Sequence, residues 1–142
     1  MKKKRVLALD VGTKRVGVAY SDPLGISTNP LPYIKNDDNV FKNIKKIVED
    51  YEIETVVIGL PLTLKGEEGT QAKLTREFAE KLKSYLPDDI KIEFIDERYT
   101  TALVEKYLKE TGKRSKRKEK IDSLSAVYIL KIYLERKQYM NG

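Results

Sequence analysis

The sequence predicts an α/β domain built on a mixed five-stranded sheet with helices on both faces. Three observations predict it. Val6–Leu9 and Thr55–Leu60 are short, almost purely apolar runs of the kind found in strands buried on both sides. A glycine turn at Gly12 joins the first of these runs to the alternating segment Val16–Tyr20 as a hairpin. Downstream, strand-like runs alternate with helical apolar stripes, the order of a sheet covered on both faces.

Each element has its own signal. Val16, Val18 and Tyr20 alternate with smaller or polar residues and form the second strand, antiparallel to the first across the turn Gly12-Thr13-Lys14. Gly25–Ile34 contains Pro30 and Pro32, which confine a third strand to a sheet edge because proline cannot donate to a ladder. Asn36-Asp37-Asp38 is a helix start, and Val40, Ile44, Ile47, Val48 and Tyr51 follow on one helical stripe. The strand Thr55–Leu60 stops at Pro61, and Leu64–Thr70, with Gly66 and Gly69, is a loop. Leu74, Phe78, Leu82 and Tyr85 mark a second amphipathic helix ended by Pro87; Ile90, Ile92 and Phe94 mark the last strand. Thr100 or Thr101 is expected to cap a helix running to Leu108, Gly112 and the basic residues after it form an exposed linker, and a final helix runs from about Asp122 to Lys137. No repeat or compositional break divides the chain, so residues 1–142 are read as one domain.

Composition narrows the chemistry. The 142 residues contain no cysteine and no histidine, which excludes disulfides, thiol nucleophiles, Cys/His zinc sites and any imidazole base. The basic opening breaks at Asp10 after a very short apolar run, unlike a signal peptide, and no stretch is long enough to span a bilayer; a cytoplasmic location is expected. The net charge is +6, and it is concentrated: Lys2–Arg5 carries four positive charges and Lys109–Lys120 a net +5. Local basicity of this kind suits a polyanion, although a solvated basic loop has the same composition.

Three carboxylates stand out by position. Asp10 ends the first strand, Glu97 follows the strand ending in Phe94-Ile95, and Asp122 opens the last helix on a line with Ala126, Ile129 and Tyr133. Sites in such sheets gather outside the carboxyl ends of parallel strands. Three convergent carboxylates repel unless a hard cation such as Mg²⁺ or Mn²⁺ sits between them, and a pair of such ions hydrolyses phosphodiesters without histidine. Each acid also has a plainer reading: Asp10 as a turn residue, Asp96 and Glu97 as a solvated pair with Arg98 as ion-pair partner, Asp122 as a helix N-cap. Asp96 is read as structural, and Asp22 as the turn residue before Pro23. Lys14 and Arg15, beside Asp10 at the hairpin tip, are placed to hold a phosphate, or are an ordinary basic turn.

With these residues assembled, the chain resembles the YqgF or RuvX family of Holliday-junction-resolvase-like nucleases. The matching segments, in the family's order, are LALDVGTKRVGVAYSD (7–22), VVIGLPLTLKGEEG (56–69), FIDERYTT (94–101) and KIDSLSAVYIL (120–130). The resemblance implies an RNase H-like fold and divalent-metal-dependent cleavage of nucleic acid, with Asp10, Glu97 and Asp122 as catalytic acids and ligands of Mg²⁺ or Mn²⁺, two ions in all. Bacterial members are linked to 5′-end maturation of precursor 16S ribosomal RNA; the alternative substrate is branched DNA. Lys14, Arg15, Arg98, Lys113, Arg114, Lys116, Arg117 and Lys118 are expected to contact nucleic acid, and the protein to be a monomer or weak homodimer. RuvC-type resolvases carry a fourth acid one turn beyond the last catalytic Asp; here that residue is Ser125, which leaves the second ion to Asp96 or a substrate phosphate.

Two other classes compete. Sugar kinases and actin-like ATPases also place an Asp-x-Gly-Thr turn, here Asp10-Val11-Gly12-Thr13, between their first strands, but they close two lobes over ATP and 142 residues supply one. A non-catalytic nucleic-acid-binding module would use the basic segment alone, yet it gains nothing from carboxylates facing phosphate.

Overall fold

The computed structural model describes residues 4–98, 106, 109–110 and 121–141, with side chains from 124 to 137 in the last stretch. Five strands, β1 (Arg5–Val11), β2 (Arg15–Ser21), β3 (Thr28–Lys35), β4 (Ile53–Leu60) and β5 (Lys91–Asp96), form one sheet in the order β3-β2-β1-β4-β5. The hairpins β1–β2 and β2–β3 are antiparallel; β1, β4 and β5 are mutually parallel. The expected mixed five-stranded sheet is therefore present, with β3 and its prolines on an edge.

Side-chain alternation splits the core in two. Leu7 and Leu9 of β1 join Val56 and Ile58 of β4 beneath α1 (Val40–Asp50) and α2 (Thr70–Tyr85). Val6 and Ala8 face the other way, with Ala19 and Val57, beneath α3 (Ile121–Asn141). Small residues on that second face, Ala8, Ala19 and Ala126, let α3 lie close across β1, β2 and β3. Helices thus cover both faces, two on one side and one on the other among the described residues.

The turn between β1 and β2 is closed by Gly12 N–H donating to the Arg15 carbonyl at 2.9 Å. A Cβ on Gly12 would sit 2.7 Å from that oxygen, so the position tolerates no side chain. Asn36, expected in the start of α1, instead ties this turn to the β3–α1 junction. Its amide donates to the Gly12 carbonyl at 2.8 Å, and its N–H to the Lys14 carbonyl at 3.0 Å. Asn39 is the cap residue of α1.

Two expectations shift. On α2, Phe78 and Leu82 are buried, but Leu74 and Tyr85 are 48% and 38% exposed; Ala72, Thr75 and Ala79 complete the buried face. Tyr85 still packs, its ring stacked on Phe41 of α1 at 5.3 Å. The second concerns the helix after β5, for which Thr100 or Thr101 was the expected cap. Helical backbone already begins at Glu97–Arg98, because Asp96 Oδ1 accepts the Arg98 N–H at 3.0 Å in the manner of an N-cap. Lys106, Lys109 and Glu110 are helical, whereas Thr100, Thr101 and the linker after Gly112 lie outside the described residues.

Candidate active site

Parallel register brings Asp10 and Glu97 to one edge of the sheet. Leu9 of β1 is level with Ile58 of β4, so Asp10 and Gly59 follow side by side one step further on. Gly59 is level with Ile95 of β5, and Glu97 lies two residues beyond it. Leu9 and Ile58 are buried under α1 and α2, so Asp10 and Gly59 belong to the face that carries α3. Asp10 is also paired with Gly17 of β2. An acid at the end of a central strand is therefore flanked on both sides by residues without side chains.

Gly59 is more than a gap. A Cβ there would lie 3.2 Å from the Glu97 carboxyl carbon, 3.4 Å from its Cγ and 2.6 Å from Ile129 Cδ1. The Glu97 side chain thus runs back across bare β4 backbone, toward β1 and Asp10, with Ile129 of α3 beside it. The sequence reading missed Gly59. Its signal was available: a glycine inside the apolar run Thr55–Leu60 marks close approach by another group.

The last helix arrives with its start at the same edge. Ile129 meets β4 at Gly59, and one turn later the Tyr133 hydroxyl donates to Glu93 Oε2 at 2.8 Å. Glu93 is level with Val57, two residues before Gly59. Hence α3 runs antiparallel to β4, and its first turn lies toward the carboxyl ends of β1, β4 and β5. Asp122 precedes Ile129 by two turns, ~10 Å along the axis; its backbone is helical and its side chain lies outside the described residues. Burial and then the Glu93 carboxylate push the Tyr133 hydroxyl up to about 12, which keeps it a neutral donor.

Asp96 and Arg98 bracket Glu97. Arg98 Nη2 contacts Asp96 Oδ2 at 2.6 Å and Nε reaches both oxygens at 3.1 Å, while Nη1 donates to the Leu64 carbonyl at 3.3 Å. The Arg98 hydrogen bonds hold the Asp96 carboxyl below the usual carboxylate range. Both Asp96 oxygens are committed, which leaves Asp96 poorly suited to complete a metal site. Asp22 is a turn residue as expected, accepting the N–H groups of Ile26 and Ser27 at 2.8 and 3.3 Å.

Among the basic candidates, Lys14 and Arg15 are exposed at the hairpin tip, with the Arg15 guanidinium 4.7 Å above the Tyr33 ring. Lys113, Arg114, Lys116, Arg117 and Lys118 lie outside the described residues. Among the described residues no three acids already form a cage for an ion. The fit of Asp10 and Glu97 to a hard cation rests on their all-oxygen donor set and on the Gly59 cradle that seats Glu97.

Comparison with known proteins bears on this arrangement. Residues 4–136 match the family described as "RuvX: Holliday junction resolvase". The chain belongs to the RuvX family. A RuvX relative from Sulfurihydrogenibium sp. (strain YO3AOP1), named "Putative pre-16S rRNA nuclease", is 56% identical over 137 residues, covering 96% of this chain and 94% of the relative. One from Lactococcus lactis subsp. lactis with the same name is 41% identical, covering 92% and 94%. The fold is RNase H-like, shared with resolvases of solved structure. Fowlpox virus resolvase bound to Holliday junction DNA superposes with a TM-score of 0.57 at 12% identity, covering 93% of this chain and 97% of that one. Thermus thermophilus RuvC with its junction substrate gives 0.55 at 10%, covering 94% and 96%.

Proposed function

We propose that this RuvX-family chain is a metal-dependent nuclease that hydrolyses phosphodiesters of precursor 16S ribosomal RNA. The observation that supports the reading is the Glu97 side chain lying over Gly59, on the strand next to Asp10, at the end of the sheet where α3 begins with Asp122. These three acids would hold Mg²⁺ or Mn²⁺, two ions in all. Bound there, the ions supply charge neutralisation and an acidified water in a protein without histidine. The chain's own part is to fix the acids: β1 holds Asp10 at a strand end, the Asp96 cap holds Glu97, and the α3 packing directs Asp122 to the same edge. Lys14 and Arg15, close in sequence to Asp10, would take the phosphate of the substrate backbone. Attack of water on phosphorus in line with the leaving group breaks the P–O3′ bond and leaves a 5′-phosphate and a 3′-hydroxyl.

Relatives named as pre-16S rRNA nucleases at 56% and 41% identity favour RNA over branched DNA. So does Ser125, which stands where RuvC-type resolvases carry a fourth acid. The cytoplasm is the compartment proposed, with the protein acting as a monomer or weak homodimer. Labelled precursor rRNA fragments and a four-way DNA junction, incubated with Mg²⁺ or Mn²⁺, test the reading. The RNA should be cut by wild type and not by Asp10→Asn. Cutting of the junction alone would move the assignment to resolution, and binding without any cutting would move it to a nucleic-acid-binding module.

A further inference from the structure

Arg98 has a different task from the other basic residues near the site. Its side chain is 32% exposed, and its guanidinium grips Asp96 through Nε and Nη2. Its Nη1 reaches the Leu64 carbonyl, and the turn at Gly66, with φ +84°, lies flat against it; a Cβ on Gly66 would meet Nη1 at 3.3 Å. One planar group therefore joins the end of β5 to the loop between β4 and α2. That loop is itself braced, with Gly66 N–H on the Thr63 carbonyl at 2.8 Å and Glu67 N–H on Thr63 Oγ1 at 3.1 Å.

Glu97 is the residue between the two halves of this grip. The Asp96 carboxylate caps the Arg98 N–H and accepts the Arg98 guanidinium, so the peptide on either side of Glu97 is held at both ends. That restraint directs the Glu97 side chain back across Gly59. An arginine already forked onto a carboxylate has its charge largely neutralised and the donors of that fork in use, so it offers less to a phosphate.

We propose that Arg98 is a positioning residue that aims Glu97 into the metal site, and does not contact the nucleic-acid backbone. The proposal rests on reading Glu97 as a metal ligand. Two readouts separate the roles. The first is binding of a labelled single-stranded RNA in EDTA across a salt series. Removing a cation that neutralises one phosphate lowers the salt slope by roughly 0.7–1, whereas Arg98→Met should leave slope and affinity unchanged. The second is Mn²⁺ affinity, measured by electron paramagnetic resonance without substrate, which should weaken about tenfold, as expected for loss of a ligand-orienting partner. Arg98→Lys should not restore it, since an ammonium cannot make the fork. Arg98→Gln carries the same measurements if Arg98→Met does not fold.

A reduced salt slope with Mn²⁺ affinity intact, rescued by lysine, would overturn the proposal. The nuclease reading can fail separately, through a wild-type protein that cuts nothing. Mn²⁺ binding sensitive to Arg98→Met and to Glu97→Gln would still support the positioning role in that event. Wild-type protein that binds no Mn²⁺ would refute it.

Discussion

At the scale of single residues, the candidate site depends on what is missing as much as on what is present. Gly17 and Gly59 flank Asp10 on the face that carries α3, and the space above Gly59 is already filled by Glu97 and Ile129. Gly59→Ala places a methyl 2.6 Å from Ile129 Cδ1. It should cost about 1–3 kcal/mol of stability, the usual penalty for overpacking, read by urea unfolding. Ile129→Val removes the clashing Cδ1 atom, so the double variant should recover more stability than the two single changes predict. Additive losses would show that the contact does not decide the packing. The Glu97 displacement remains in the double variant, because the carboxyl carbon lies 3.2 Å from the same methyl; its metal affinity should stay low while stability returns.

At the scale of elements, α3 is docked by apolar burial of Ala126, Ile129 and Leu130 and by polar contact, including the bond from Tyr133 to Glu93. Burial and the Glu93 carboxylate push the hydroxyl up to about 12 in the folded protein, from the ordinary value near 10 when unfolded. A raised pKa of this kind contributes stability below pH 10 that is lost as pH climbs toward 12. Tyr133→Phe should therefore be less stable at neutral pH and should lack this part of the alkaline decline, measured by thermal unfolding from pH 8 to 11.5. An unchanged alkaline slope would mean that Tyr133 does not titrate with folding. Most elements were legible in the sequence because their signals are local: buried runs in β1 and β4, prolines in β3, the glycine turn at residue 12. The inward face of α2 was not. Leu74 and Tyr85 share a helical stripe with Phe78 and Leu82, but the buried face is rotated toward Ala72, Thr75 and Ala79, which leaves Leu74 and Tyr85 at its margin. The three candidate acids were legible because each stands near an element boundary. The Gly59 cradle and the Arg98 fork were not, because both join segments remote in sequence.

At the scale of the whole molecule, charge is divided by location. The described part of the site edge carries carboxylates, while the strongest basicity is in Lys109–Lys120, net +5. If Lys113, Arg114, Lys116, Arg117 and Lys118 hold the RNA backbone, replacing all five by Gln should flatten the salt dependence of binding by roughly 0.7 for each phosphate no longer neutralised. Metal binding should be untouched, and an unchanged salt slope would exclude the segment from the interface. Asp10, Glu97 and Asp122, from β1, the helical start after β5 and the start of α3, are proposed to form one metal site. Mn²⁺ titration of wild type and of Asp10→Asn, Glu97→Gln and Asp122→Asn, by calorimetry on folded protein, tests it most directly. The prediction is that wild type binds and each single variant loses most of that affinity. An Asp122→Asn variant that binds Mn²⁺ as tightly as wild type would contradict it.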